Sequence, residues 1–475
     1  MKGNLKLLAL IAGPFAALCS WLALGEAGLD EAAIRVISAG LWMLVWWVGE
    51  AVPIGVTSVL PMVLFPMFGI SSIAETTAPY GSHFVFLFLG GFLIAIALER
   101  WNLHRRFALS VLAAAGGRPR RLIGGFMLAT AALSMWISNT ATTLMMLPIA
   151  ISVLSKVDVK RHPRFALALL LGTAYSANLG GIATLVGTPP NVAMAGILDD
   201  QFAIEIPFLE WSLMALPFSV IMLIVVYVLL TRVLTPVSNE RLEAGVENIQ
   251  RELRALGEWS HAEKRVAMVF AATGLLWVGR RWIEEWFAWG LNDTTIAISA
   301  GIALFLIPNG SGEKGSLLDW RDTKNLPWDI LLLFGGGLTL ANALKNAHVL
   351  SMVAESIAGM EGMSISILIL LFVSVALMLT EVMSNLALTV VLVPVVGQVA
   401  IEWGMDPLLL VVPITMASSC AFMLPMATPP NAIIFGSNRV SMKKMAAVGL
   451  ILNVLAALLA WFWALWVLPS WLDLI

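Results

Sequence analysis

The chain has 475 residues, of which 59% are hydrophobic and 12% are charged. A soluble protein is about 45–50% apolar and about 25% charged, so this composition argues against a soluble enzyme. The net charge of −2 provides no basic surface for nucleic acid, and two distant cysteines, Cys19 and Cys420, suggest neither a disulfide framework nor a metal cluster. The composition predicts an all-α, polytopic membrane protein.

Thirteen hydrophobic runs follow one another along the chain, and a membrane span needs roughly 20 such residues. Nine runs are simple: 5–25, 36–49, 54–70, 83–98, 207–231, 266–284, 293–307, 328–345 and 445–470. Four are interrupted by polar residues or by glycine and proline: 122–150, 165–198, 364–400 and 406–436. Irregular backbone at membrane depth is tolerated only where it is buried in protein or lines a wet cavity, so these four segments are the candidate functional elements.

The distribution of Lys and Arg predicts the topology, because cytoplasmic loops carry the excess of basic residues. If 122–150 and 364–400 are re-entrant hairpins that do not cross the membrane, 24 of the 28 basic residues lie on the cytoplasmic side. We therefore predict eleven spans and two hairpins, with the N-terminus in the cytoplasm and the C-terminus outside. The five arginines between 105 and 121 predict an interfacial helix that meets lipid phosphates.

The two halves of the chain resemble each other. The Ser-Asn pair at 138–139 recurs at 384–385, and the Thr-Pro-Pro-Asn motif at 188–191 recurs at 428–431. The run Phe84–Leu98 also aligns with Asp329–Leu344. An odd number of predicted spans separates equivalent points of the two copies, so the second copy has the opposite orientation in the membrane. Inverted repeats with interrupted hydrophobic segments are typical of secondary transporters, whose binding site lies at the repeat interface.

The interrupted segments favour an anion that binds together with a cation. A proline at the start of a new helix turns each Thr-Pro-Pro-Asn motif into a break followed by a half-helix. Free carbonyls at such a break suit Na⁺, and helix N-termini present N–H groups to an anion. Apart from Asp406, which begins the last of them, Glu381 is the only charged residue in the four segments, and we predict that it is a structural hydrogen-bond acceptor. The chain has no GxSxG or HExxH motif, so we predict that it is not an enzyme.

These motifs resemble those of the divalent anion:sodium symporter family, of the sodium-coupled dicarboxylate transporter type. The stretches WWVGEAVPIGVTSVLP (46–61) and FLGGFLIAIALERWNLHRR (88–106) carry the same resemblance, which covers essentially the whole chain. It implies a homodimer of scaffold and transport domains with an elevator mechanism. The implied substrates are succinate, malate and fumarate, sometimes citrate, with sulfate in relatives. Na⁺ is the implied coupling ion, and no organic cofactor is expected.

The resemblance also implies the site residues. The first sodium site is Ser134, Ser138, Asn139 and Gly187, and the second is Thr380, Ser384, Asn385 and Ala427. The substrate-binding residues are Ser138, Asn139, Thr140, Thr188, Pro189, Ser384, Asn385, Leu386, Thr428 and Pro429. The family pattern repeats Ser-Asn-Thr, but the second copy here ends in Leu386, which removes a hydroxyl. We therefore expect that Leu386→Thr changes the substrate preference.

The implied domain boundaries follow the runs. They are N-terminal scaffold spans (1–82), a first repeat (83–235), a cytoplasmic loop (236–265), further scaffold spans (266–327) and a second repeat (328–475). The predicted partners are a small anion, sodium, membrane lipid and a second copy of the chain. The predicted location is the bacterial inner membrane. Two alternatives remain open, namely a sodium-independent dicarboxylate exchanger and a symporter of sulfate or another divalent anion.

Overall fold

The computed structural model describes residues 2–26, 29–155, 163–237, 243–288, 290–310, 315–358 and 364–472. The regular structure in these ranges is helical, apart from one isolated bridge between Pro308 and Ser316. The predicted all-α class is therefore confirmed. Three parts of the predicted cytoplasmic side, 156–162, 238–242 and 311–314, lie outside the described residues.

The first half of the chain runs from α1 to α12. These helices are α1 (Lys2–Glu26), α2 (Glu31–Gly49), α3 (Ile54–Ser58), α4 (Pro61–Met67), α5 (Ile73–Thr77), α6 (His83–Arg100), α7 (Leu103–Ala115), α8 (Pro119–Ser134), α9 (Asn139–Ser155), α10 (Pro163–Ile182), α11 (Pro189–Phe202) and α12 (Phe208–Val228). Short 3₁₀ and π turns occupy Ala78–Gly81 and Leu229–Val233.

The second half runs from α13 to α23. These helices are α13 (Glu243–Ala255), α14 (His261–Phe287), α15 (Asp293–Leu306), α16 (Trp328–Asn346), α17 (Val349–Ala358), α18 (Ile365–Leu379), α19 (Asn385–Glu402), α20 (Leu408–Ser418), α21 (Pro429–Gly436), α22 (Met442–Phe462) and α23 (Leu468–Leu472). A 3₁₀ turn occupies Trp320–Asn325, and a π turn occupies Trp463–Val467.

Helices that could cross a membrane occur along the whole chain. Eight helical segments of the described residues are long and apolar enough to cross a membrane, or up to nine if the bent pair α16–α17 is one span. Shorter apolar helices follow the remaining predicted runs at Ile54–Met67, Asp293–Leu306 and Leu408–Ser418. The chain is thus a multi-pass membrane protein, as its composition predicts.

The predicted repeat is visible in the order of the elements. In the first half a long helix (α6) leads into a short one (α7), then a close helix pair (α8 and α9) and a broken helix (α10 and α11). The same order recurs in α16, α17, the pair α18 and α19, and the broken helix α20 and α21. The breaks fall where Ser-Asn and Thr-Pro-Pro-Asn stand in the sequence, and the prolines of the second motif occupy the first turns of α11 and α21.

Helix α10 lies at the centre of the fold. It is apolar on all sides, and every residue from Phe165 to Ile182 is buried, as expected for a helix without a solvent or lipid face. Its neighbours include α8, α9, α12 and α21, which belong to both halves of the chain. The broken ends of both repeats are therefore held around one buried helix.

Three of the arginines predicted to meet lipid bind protein partners. Arg106 is 6% exposed, and its Nε donates to Glu263 Oε1 at 2.8 Å. Arg105 Nη2 donates to Glu252 at 3.2 Å, and Arg120 Nε donates to Val237 O at 3.1 Å. The prediction of a lipid-facing side chain is wrong for Arg106, which is buried. A buried guanidinium needs a carboxylate and carbonyl acceptors close by, and sequence spacing does not reveal them.

Candidate functional site

An oxygen cluster lies at the tip of the helix pair α8 and α9. The Ser134 hydroxyl lies 2.6 Å from Asn139 Oδ1 and 2.7 Å from Ala177 O. A hydroxyl has one hydrogen, so it satisfies only one of these two acceptors at a time. Three oxygen atoms therefore meet around a single proton. Oxygen-only sets of this kind are the ligands that hard cations take.

The same cluster recurs at the tip of the pair α18 and α19. Thr380 Oγ1 lies 2.7 Å from Asn385 Oδ1 and also contacts Ser418 O. The structure thus brings together Ser134 with Asn139 and Thr380 with Asn385, which are two of the residues predicted for each sodium site. The carbonyls that meet them belong to Ala177 and Ser418, which are not among the predicted residues.

Gly181 allows the first hairpin tip to reach the first broken helix. A Cβ at Gly181 would lie 2.6 Å from Asn139 Oδ1 and 3.2 Å from the Cβ of Thr188. A Cβ at Gly187 would lie 2.6 Å from Gly181 O, so the predicted backbone ligand Gly187 folds back onto the same glycine. These contacts place Asn139, Gly187 and Thr188 around one point, and they leave no room for a side chain at Gly181.

The asparagine of each Thr-Pro-Pro-Asn motif hydrogen-bonds to the non-helical segment that precedes the motif. Asn191 Nδ2 donates to the carbonyls of Gly181, Ile182 and Thr184 at 3.0, 3.2 and 2.8 Å. Asn431 Nδ2 donates to those of Ala421 and Leu424 at 3.1 and 3.2 Å. These acceptors correspond between the two repeats. The motif stands out in the sequence, but Asn191 and Asn431 are not among the predicted site residues.

Replacing either amide by a carboxylate is expected to destabilise the protein strongly. Both asparagines are 0% exposed. In Asn191→Asp and Asn431→Asp a carboxylate oxygen, which cannot donate, replaces the amide nitrogen, so the carbonyl oxygens lose their hydrogen-bond donors. Each lost buried partner costs about 1–3 kcal/mol. We expect a similar fall in melting temperature for Asn191→Asp and Asn431→Asp, because an amide has two N–H hydrogens and each variant loses both donors.

Thermal unfolding of the detergent-purified protein measures both effects. Asn325→Asp, on an exposed side chain of the Trp320–Asn325 turn, is the matched control and should unfold at the wild-type temperature. Wild-type stability in both buried variants would show that the amides do not hold the breaks.

Helix α10 also holds the second break directly. Asn178 Nδ2 donates to Thr428 Oγ1 at 3.1 Å and to Ala421 O at 3.3 Å. The Tyr175 hydroxyl donates to Phe422 O at 2.9 Å. A helix of the first repeat therefore binds the unwound backbone of the second, which joins the two halves of the site. The sequence offered no signal for this contact, because about 250 residues separate Asn178 from Thr428.

Glu381 is the buried acceptor that its position predicts. Its Oε1 accepts the backbone N–H groups of Phe422 and Met423, each at 2.9 Å, and the Nδ2 of Asn453 at 2.8 Å. Its Oε2 accepts the N–H of Leu424 at 2.9 Å. The side chain is 4% exposed, and its four donors come from the second break and from α22. Structural hydrogen bonding by Glu381 is thus confirmed.

The remaining predicted residues differ in exposure. Ser138, Thr140, Ser384 and Pro189 are half-buried, and Pro429 is exposed. Thr188, Thr428, Leu386 and Ala427 are buried, at 4%, 3%, 5% and 7% exposure. The Ser138 hydroxyl accepts the N–H of Ala141 at 3.2 Å, and Thr428 Oγ1 accepts that of Asn431 at 3.4 Å. These hydroxyls therefore stabilise the first turns of α9 and α21.

Known proteins resemble the chain over almost its full length. The family model described as the sodium:sulfate symporter transmembrane region matches residues 3–472. The sodium-dependent dicarboxylate transporter SdcS of Staphylococcus saprophyticus subsp. saprophyticus is 37% identical over 95% of this chain and 89% of its own length. SdcS of Staphylococcus aureus (strain USA300) is 36% identical over 98% of this chain and 91% of its own.

A solved structure shares the fold at low sequence identity. The crystal structure of the YdaH transporter of Alcanivorax borkumensis matches with a TM-score of 0.57 and 14% identity. The match covers 84% of this chain and 88% of that one. At this identity the likeness concerns the arrangement of helices alone.

Proposed function

The chain belongs to the sodium:sulfate symporter family, and from this membership we propose that it carries di- and tricarboxylate anions of the succinate, malate and fumarate class together with Na⁺. Two relatives at 36–37% identity are named as sodium-dependent dicarboxylate transporters, which supports this substrate class. The matched family is described as symporters and the relatives are named as transporters, which is consistent with the prediction that the chain is not an enzyme.

The observation that carries the proposal is the pair of oxygen clusters at Ser134–Asn139 and Thr380–Asn385. Each cluster has more acceptor oxygens than protons, and a hard cation such as Na⁺ takes oxygen ligands of this kind. The half-helices that begin beside the clusters, α9 and α19, direct N–H groups toward the same region. An anion held there is attracted by those N–H groups and by the bound cations. A dicarboxylate and Na⁺ therefore stabilise each other in a site without Lys or Arg.

Uptake of labelled succinate into proteoliposomes tests the proposal. An inward Na⁺ gradient should accelerate uptake by at least about tenfold over choline, since that factor needs only about 1.4 kcal/mol of coupling. Equal uptake in the two salts would contradict sodium coupling. Exchange against preloaded succinate without Na⁺ would favour the exchanger, and competition by sulfate stronger than by malate would favour the sulfate symporter.

The domain organisation is a further part of the proposal. The scaffold would comprise 1–82 and 266–327, and the two repeats would form a transport domain that moves across the membrane in a homodimer. The charge asymmetry supports a cytoplasmic N-terminus and an external C-terminus in a bacterial inner membrane. Labelling of single cysteines placed in the Trp320–Asn325 turn and near the C-terminus, from either side of the membrane, tests this orientation.

Leu386 is expected to influence which anion is carried. It follows Asn385 at the start of α19, where the first repeat has Thr140, and it is 5% exposed. In Leu386→Thr a hydroxyl takes the place of buried methyl groups, so we expect the preference among succinate, citrate and sulfate to change by at least about tenfold for one pair, the effect of about 1.4 kcal/mol.

Inhibition of labelled succinate uptake by each unlabelled anion measures the preference. Leu386→Ile keeps the apolar character and serves as the control. An unchanged inhibition profile for Leu386→Thr would contradict a role in selection.

A further inference from the structure

The hydroxyl of Thr428 accepts two hydrogen bonds and donates none within the part of the chain that the structure describes. Asn178 Nδ2 donates to Thr428 Oγ1 at 3.1 Å, and the backbone N–H of Asn431 donates to the same oxygen at 3.4 Å. A hydroxyl oxygen can accept two hydrogen bonds and donate one. Both acceptor positions of Thr428 are therefore used, and its hydroxyl hydrogen is left for a third partner.

A backbone carbonyl sets the orientation of the Asn178 amide. The two hydrogens of Asn178 Nδ2 go to Thr428 Oγ1 and to Ala421 O, which lies 3.3 Å away. A carbonyl oxygen only accepts, so the amide cannot turn its own oxygen toward Ala421 without losing that bond. Asn178 is 1% exposed, and its Oδ1 has no partner among the described residues. Asn178 therefore acts on Thr428 as a donor and offers the hydroxyl hydrogen no acceptor.

The corresponding threonine of the first repeat is not held in this way. The carbonyls that meet the two oxygen clusters belong to the residues just before Asn178 and Ser419, so these two positions correspond. The buried Ser419 hydroxyl has no partner in the described ranges, and Thr188 makes no side-chain hydrogen bond to the start of its own half-helix. The motifs of Thr188 and Thr428 are thus identical in sequence, but only the hydroxyl of Thr428 is held in one orientation.

Thr428 is one of the residues predicted to bind the substrate. It is the N-cap of α21, and α21 packs against α9, the half-helix that begins at Asn139 of the first oxygen cluster. An ionised carboxylate only accepts hydrogen bonds, and a bond to it is roughly twice as strong as one between neutral groups. A hydroxyl whose hydrogen has no acceptor in the protein suits such a ligand.

We propose that Asn178 is a positioning residue for the anion, because its amide directs the hydroxyl hydrogen of Thr428 toward a substrate carboxylate. This inference rests on the proposed transport of dicarboxylates. Asn178 does not touch the substrate and acts only through Thr428. The hydroxyl is oriented before the anion arrives, so binding does not have to reorient it. The two repeats therefore contribute unequally to anion binding, and Thr188 contributes less than Thr428.

Equilibrium binding of labelled succinate to the purified full-length protein in saturating Na⁺ tests the proposal through a double-mutant cycle. Asn178→Ala and Thr428→Val should each raise the Kd by at least about tenfold. The variant with both changes should bind no more weakly than Thr428→Val alone, because Asn178 then has no hydroxyl to orient. Asn178→Ala combined with Thr188→Val is the matched cycle, in which the two effects should multiply. A Kd for the first double variant that is the product of both effects would overturn the inference, since Asn178 would then act by supporting the backbone.

A second comparison applies even if Asn178→Ala fails to fold. Thr428→Val should weaken succinate binding more than Thr188→Val does, and Thr428→Ser, which keeps the hydroxyl, should bind close to the wild type. Equal losses in Thr188→Val and Thr428→Val would contradict an oriented hydroxyl at Thr428. Absence of Na⁺-dependent succinate binding by the wild type would instead overturn the proposed function, so the two failures are distinguishable.

Discussion

Asn139→Ala and Asn385→Ala are each expected to reduce sodium-dependent uptake by about 100-fold. Each side chain supplies the Oδ1 of an oxygen cluster and stands at the first residue of a half-helix. An interaction with a charged group contributes about 1.5–3 kcal/mol, and about 2.8 kcal/mol corresponds to 100-fold in binding. Because the proposed transport cycle uses both clusters, either substitution alone should be sufficient.

Initial uptake rates of labelled succinate at several Na⁺ concentrations measure this effect. Both asparagines are half-buried at the hairpin tips, so the variants should fold and elute as the wild type does from a sizing column. Asn325→Ala, on an exposed turn, is the matched control and should transport normally. Uptake close to the wild type in either hairpin variant would contradict the model of two cation sites.

Arg106→Ala is expected to destabilise the protein by about 3–5 kcal/mol. The side chains of Arg106 and Glu263 are 8% and 7% exposed, and the guanidinium also donates to the carbonyls of Leu256, Gly257 and Glu258. Removing Arg106 leaves Glu263 as a buried charge without a cationic partner. It also leaves the carbonyls just after the end of α13 without their donor. The pair therefore fastens α7 to the turn between α13 and α14.

The neighbouring arginine supplies the control. Arg105 pairs with Glu252, but their side chains are 44% and 25% exposed, so Arg105→Ala should cost about 0–1 kcal/mol. Melting temperatures of the two variants, purified in the same detergent, make the comparison. Replacing Arg106 and Glu263 together by Met should recover part of the loss, since neither charge is then left alone. Equal melting temperatures for Arg105→Ala and Arg106→Ala would contradict this account.

The order of the functional elements was open to prediction from the sequence. The membrane does not tolerate unpaired backbone groups, so Ser-Asn and Thr-Pro-Pro-Asn stand out wherever they interrupt an apolar run. Their recurrence at 138–139 and 384–385, and at 188–191 and 428–431, predicts where both repeats are broken. The helix boundaries at Ser134, Asn139, Leu379 and Asn385 agree with this prediction.

The partners of these elements were decided by the tertiary structure. The contacts of Asn178 with Thr428, of Glu381 with Asn453 and of Arg106 with Glu263 join residues that lie 250, 72 and 157 positions apart. Periodicity and motif spacing report which face of a helix is apolar and where a helix breaks, because both depend on neighbours along the chain. Which carbonyl a buried amide meets, and which carboxylate pairs with an arginine, depends on how distant helices pack.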